Sequence, residues 1–163
     1  MRVNTVSVIV ESHRKGVVTP PETIRRCYER IRALGDPGIF ITLRDEGEAI
    51  AEAQALKDNS GFYGVPVVVK DNIDVAGMPT TAACPAFAYQ AEEDAEAVRR
   101  LKCAGAIVIG MTNLDQFATG LVGIRTPLSG AAESSAARFN PGRIKRWVRS
   151  CSCGGHCAAR AGD

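Results

Sequence analysis

Apolar residues recur at helical spacing early in the chain. Ile24, Cys27, Ile31 and Leu34 form one stripe behind Thr19-Pro20-Pro21-Glu22, where threonine suits a cap and proline is tolerated in a first turn. A helix is therefore expected over residues 19–35, closed by Gly35. Residues 39–43 are a short extended apolar run, and Asp45 opens a second amphipathic helix through Ala49, Ala53 and Leu56 to about Lys57. After a turn at 61–64, Val65-Pro-Val-Val-Val69 is apolar without alternation, the pattern of a strand covered on both faces. Residues 71–92 read as an irregular loop rich in Asp, Gly, Pro and Thr. Helical spacing returns over 94–103 through Ala95, Val98 and Leu101, Gly105 ends it, and 106–109 form a second buried strand. A strand, loop, helix and strand in this order imply a parallel pair with a right-handed crossover. The fold class is α/β, with no internal repeat.

At 163 residues, with 45% hydrophobic and 23% charged side chains, the chain has the composition of a soluble globular domain. Its longest apolar runs fall far short of the roughly 20 residues of a membrane helix. The apolar residues 6–10 run into Glu11 with no small-residue cleavage site behind them, so a cytoplasmic location is expected. The net charge of +2 hides an asymmetry: residues 141–163 carry five basic and one acidic side chain, whereas the preceding 140 are slightly acidic. Cysteine divides similarly. Cys27, Cys84 and Cys103 are widely spaced and read as free, mostly buried thiols, while Cys151, Cys153 and Cys157 crowd the tail.

Lys70 is the sharpest candidate for chemistry, since it follows five apolar residues at the carboxyl end of a covered strand, where open α/β sheets place their sites. Burial there favours the neutral amine and would fit lysine to act as a general base. From its position alone, a lysine that simply leaves the strand into water is the commoner case. Asp71, Asn72 and Asp74 suit either a hard cation or the loop's own hydrogen bonds, and they lack calcium-loop spacing. Thr80, Thr81 and Cys84 share that loop. Cys84 would need a base, and His13 and His156 are both distant in sequence. The stretch Thr112-Asn-Leu-Asp-Gln-Phe117 suits a site wall or a cap.

Three blocks in order, Gly64-Val-Pro-Val-Val-Val-Lys70-Asp-Asn-Ile-Asp74, Gly77-Met-Pro-Thr-Thr-Ala-Ala-Cys-Pro-Ala-Phe87 and Thr112-Asn-Leu-Asp-Gln-Phe-Ala-Thr-Gly120, resemble the amidase-signature family. The second block, with Gly120-Leu-Val-Gly-Ile-Arg-Thr-Pro127, is most similar to the allophanate hydrolases of that family. The amidotransferase members of the family are less similar. The resemblance covers about residues 20–127. It implies the N-terminal portion of the amidase-signature fold, a covered mixed sheet with flanking helices. It also implies amide hydrolysis by a Ser, cis-Ser, Lys triad, in which Lys70 matches the lysine that deprotonates the nucleophilic serine through a bridging serine. The implied substrate is a small amide or urea derivative, with allophanate going to ammonia and carbon dioxide. No metal or organic cofactor, nucleic acid or membrane is implied, and family members are often homo-oligomeric.

Residues 1–127 thus form one unit and 128–163 a tail that departs from the family. Where the family places a Gly-Gly-Ser-Ser-Ser-Gly-Ser block, this chain reads Gly142-Arg-Ile-Lys-Arg-Trp-Val-Arg-Ser-Cys-Ser-Cys-Gly-Gly-His-Cys157. The nucleophilic serine is absent, so inactivity is expected. Trp147 has a single codon, TGG. Reading one base later, from an Arg146 codon ending in GG through a Val148 codon GTC, yields Gly-Gly-Ser. A reading-frame shift from about residue 142 is expected on this ground, and a gene whose shifted frame lacks a Gly-Gly-Ser run rules it out. Two other readings rank lower: zinc on Cys151, Cys153, His156 and Cys157, which are packed too tightly for paired knuckles, and phosphate contacts by Arg143, Lys145, Arg146 and Arg149 beside Trp147.

Overall fold

The computed structural model describes residues 5–35, 38–58, 61–120 and 126–127. Helix α1 (Val6–Arg14) comes first, with Thr5 Oγ1 accepting from Val8 N at 3.4 Å and with Ile9, Val10 and His13 buried. Helix α2 (Pro20–Leu34) begins at the expected cap, where Thr19 Oγ1 accepts from Glu22 N at 3.3 Å. It ends at Gly35, whose φ of 64° is costly for any residue with a Cβ. Strand β1 (Phe40–Leu43) and helix α3 (Glu46–Ala55) follow. Asp45 caps α3 through Glu48 N at 3.0 Å, but the helix stops before Leu56, whose backbone is already extended.

Strand β2 (Pro66–Lys70) runs parallel to β5 (Ile107–Thr112), and β1 joins the other side of β5 antiparallel, giving a sheet ordered β1-β5-β2. The second buried strand is longer than its apolar run suggests, because Gly110, Met111 and Thr112 continue the ladder. The 71–92 loop is not wholly irregular: Pro79–Thr80 (β3) and Tyr89–Gln90 (β4) form a short antiparallel ribbon. Helix α4 (Glu96–Cys103) starts two residues late, because the Asp94 carboxylate is engaged by Ala76 N at 2.8 Å and Lys102 Nζ at 2.7 Å.

Both faces of the sheet are covered, as the unbroken apolar runs require. On one face, Ile24, Cys27, Tyr28 and Ile31 of α2 and Ala49 and Ala53 of α3 pack on Val68, Ile107 and Ile109. On the other, Ile9 and Val10 of α1 and Val98 of α4 pack with Val65, Val67, Val69, Val108 and Met111. Each fully buried isoleucine here contributes on the order of 2–3 kcal/mol. Successive side chains of a strand face opposite ways, which is how β2 divides its valines between the two cores. A register shift between Val67 and Val68 places Val68 opposite Gly110. A Cβ on Gly110 would lie 2.8 Å from Thr42 O and 2.9 Å from Phe40 Cδ1, so only glycine lets β1 approach β5 there. Among the described residues no helix is long and apolar enough to cross a membrane.

Candidate active site

Strand β2 delivers Lys70 to the carboxyl end of the parallel pair, opposite Thr112 of β5. The valines before it are buried and Lys70 is half-buried, so enclosure at this end is partial where the sequence suggested burial. Its backbone is held on both sides. Asp71 N donates to Thr112 O at 3.1 Å, and Lys70 O accepts from Ile73 N at 3.0 Å. The Lys70 amine has no hydrogen-bond or ion-pair partner among the described residues. An amine with no competing partner is open to exchange a proton with whatever enters this end of the sheet.

Asp71 organises the neighbouring turn. Its carboxylate is wholly buried; Oδ2 accepts from Thr81 N at 3.2 Å, from Ala83 N at 3.3 Å and from the Thr81 hydroxyl, while its carbonyl accepts from Ala82 N at 2.9 Å. Oδ1 is buried with no partner among the described residues. The turn so held contains Ala82 and Ala83 at φ 49° and 56°, and Ala82 O accepts from Phe117 N at 2.9 Å. Phe117 and Ala118 are themselves left-handed, at φ 52° and 56°. Four residues with side chains in that region cost roughly 1–2 kcal/mol each, and such strain collects where a site must be shaped. Two strained loops are thus tied to one another beside the end of β2.

The other candidates resolve into support. Asp74 accepts from Thr80 Oγ1 and Tyr89 Oη, each at 2.7 Å, which ties the β3–β4 ribbon to the strand exit. Its hydrogen bond pushes the Tyr89 phenol above its ordinary range. Asn72 is exposed. No group of three or more His, Cys, Asp or Glu suited to a metal occurs among the described residues. Asn113 is a bracket: Nδ2 donates to Gly38 O at 3.1 Å and Oδ1 accepts from Leu114 N at 2.9 Å. Asp115 is buried against Gly120, where a Cβ would lie 2.6 Å from Oδ2.

The thiols of Cys27, Cys84 and Cys103 are free among the described residues, but they are not mostly buried as was expected. Cys27 is, and burial pushes its thiol up to about 11; Cys84 is half-buried and Cys103 exposed. His13 is no base for Cys84, because its ring is engaged by Tyr63 of the 61–64 turn and Thr23 of α2. Cys151, Cys153, His156, Cys157 and the basic run around Trp147 lie outside the described residues. Sequence reasoning missed an exposed aromatic cluster near the strained turns, in which Phe87 meets Tyr89 at 5.6 Å and Phe117 at 5.3 Å, both edge-on. The only available signal was large aromatic residues in otherwise small and polar loops.

Known proteins resemble this chain in sequence and fold. The urea amidolyase of Saccharomyces cerevisiae is 59% identical over 78 residues, covering 48% of this chain and 4% of that protein. The glutamyl-tRNA(Gln) amidotransferase of Oleidesulfovibrio alaskensis has an A subunit that is 36% identical over 157 residues, covering 90% of this chain and 30% of that one. The solved allophanate hydrolase of Kluyveromyces lactis superposes with a TM-score of 0.63 at 39% identity, over 77% of this chain and 21% of that structure. The chain thus spans less than a third of the length of each. The family described as Amidase matches residues 22–160, a span that holds the β2 strand, its lysine and the two strained turns, so this chain belongs to the amidase-signature family of carbon–nitrogen hydrolases.

Proposed function

We propose that this chain carries the lysine-bearing part of an amide-hydrolysing site whose substrate is allophanate or a similar small urea derivative. The identity to urea amidolyase over 78 residues is the observation that carries this reading. Lys70 is its general base. A neutral Nζ takes the proton of a serine hydroxyl through a bridging serine, the serine oxygen attacks the amide carbonyl, and the nitrogen leaves as ammonia after gaining a proton. The anchored backbone of Lys70 and its amine, unpaired among the described residues, suit a group that must change protonation state without losing its place. Residues 128–163 contain no Gly-Gly-Ser-Ser-Ser-Gly-Ser block to supply the serines, so these 163 residues alone do not turn over.

Ammonia release from allophanate and simple amides is therefore expected at background for both the 163-residue chain and its Lys70→Ala variant. Turnover abolished by Lys70→Ala would overturn the inactivity and keep the base. Once residues 1–127 are continued by the serine-bearing block of a related hydrolase, Lys70→Ala should lower kcat by about 10²–10⁴. An unchanged kcat would remove Lys70 from the chemistry. A second reading, a glutamine-dependent amidotransferase component, draws on the match over 90% of this chain, against 48% for urea amidolyase. Release of ammonia from glutamine but not allophanate by the same joined polypeptide would favour it.

A further inference from the structure

His13 is the one buried histidine among the described residues, and nothing in the site near Lys70 uses it. It lies in the last turn of α1, 6% exposed, and bridges two other elements. Nδ1 stands 2.9 Å from Tyr63 O, and Nε2 stands 2.7 Å from Thr23 Oγ1 of α2. A carbonyl only accepts, so Nδ1 carries the proton; Nε2 of the neutral ring then accepts from the Thr23 hydroxyl. The fit is close. A Cβ on Gly64 would lie 3.0 Å from His13 Nδ1, so glycine alone lets the 61–64 turn seat against the ring.

We propose that α1 is a pH-sensitive strap: protonation of His13 breaks its accepting bond from Thr23 and releases the helix from the face of the sheet that it shares with Val65, Val67 and Val108. A second proton on the ring turns Nε2 into a donor. Thr23 Oγ1 must then accept, and its own proton needs a new acceptor at a residue only 1% exposed. Among the described residues no counter-charge compensates. The polar groups facing the ring are the Tyr63 carbonyl from the turn and the Thr23 hydroxyl from α2. The charged side chains nearby in sequence are paired elsewhere: Glu11 with Lys15 and Arg14 with Asp58 on the α1 side, Glu22 with Arg26 on α2.

Burial, opposed in part by the Tyr63 hydrogen bond, holds the imidazole below its ordinary range. Because the folded value is the lower one, the contribution is complete above the unfolded value of about 6.5 and is lost as pH falls below it. Release is confined to α1 because the helix makes its other tertiary contacts through a few apolar residues, Val6, Ile9 and Val10, and the exposed Arg14–Asp58 pair, whereas β2 and β5 are enclosed from both sides.

Hydrogen exchange of the full chain between pH 7.5 and 5, corrected for intrinsic rates, tests this. Protection of α1 amides is expected to fall about tenfold or more while β2 and β5 keep theirs, with the fall setting in below the unfolded imidazole value of about 6.5. His13→Gln, which offers an amide donor and acceptor but no titration, should abolish the pH dependence. The proposal is overturned if α1 stays protected at pH 5, if protection falls equally in His13→Gln, if the strands open together with α1, or if the fall in α1 protection sets in well away from the unfolded imidazole value of about 6.5. The last comparison needs no variant, so a poorly folding His13→Gln leaves the test intact.

Discussion

Replacing Asp71 by alanine is expected to cost about 2–4 kcal/mol of folding stability, a large part of what holds an ordinary domain together. The variant strips a buried acceptor from Thr81 N and from the Thr81 hydroxyl. Ala83 N suffers less, because Thr81 Oγ1 also accepts from it at 3.1 Å. A buried donor left without a partner costs roughly 1–3 kcal/mol, and hydrogen bonds to a carboxylate are among the stronger ones. Removing Oδ1, which has no partner among the described residues, returns part of this. The strained turn at Ala82 and Ala83 should relax once its clamp is gone, which would loosen the link through Phe117 N. Asp71→Asn retains one acceptor oxygen and the shape, and should cost about 1–2 kcal/mol. Urea denaturation at constant slope would measure both. A loss below about 1 kcal/mol for Asp71→Ala would mean that the turn is held by something other than this carboxylate.

Gly64→Ala should be comparably damaging, by about 2–4 kcal/mol, for two separable reasons. At φ 69° a Cβ costs roughly 1 kcal/mol in backbone strain alone. It would also lie 2.5 Å from Pro20 Cβ and 2.8 Å from Cγ. The proline ring sits in the first turn of α2 and cannot swing aside, so the turn and the helix must separate, at the roughly 1–3 kcal/mol typical of overpacking. Gly77 supplies the control. Its φ is 80° but nothing lies within 4 Å of an added Cβ, so Gly77→Ala carries the strain without the collision. The two alanine variants should differ by about 1–3 kcal/mol in denaturant unfolding, and equal losses would refute the packing argument.

What the chain's pattern determined is local and one-dimensional. The caps at Thr19 and Asp45, the stop at Gly35 and the buried run before Lys70 all depend on residues within a few positions of one another, so spacing reveals them. The parallel β2–β5 pair followed too, since unalternating apolar strands need cover on both faces. Helix α1 was not legible as a helix: its β-branched Val6, Val8, Ile9 and Val10 favour strands, and packing of Ile9, Val10 and His13 decides the outcome. Leu34 fitted the α2 stripe yet is half exposed, because no described element covers the end of that helix.

The site divides in the same way. Lys70 could be placed at a strand's carboxyl end from sequence alone, because strand length and burial pattern suffice for that. The surroundings of Lys70 could not. Asp71 looks like any loop aspartate until Thr81 and Ala83 are folded onto it, ten and twelve residues away. Ala82, Ala83, Phe117 and Ala118 carry no glycine to announce a left-handed backbone, so only tertiary hydrogen bonds, Ala82 to Asp71 and Phe117 to Ala82, impose it. His13 reaches Tyr63 across 50 residues and no periodicity records that contact. The sequence by itself thus determined α2, α3, the β2–β5 pair and the position of the lysine, through capping, burial and spacing. The tertiary structure decided which loops meet around that lysine, because contacts between distant residues alone set their backbone angles.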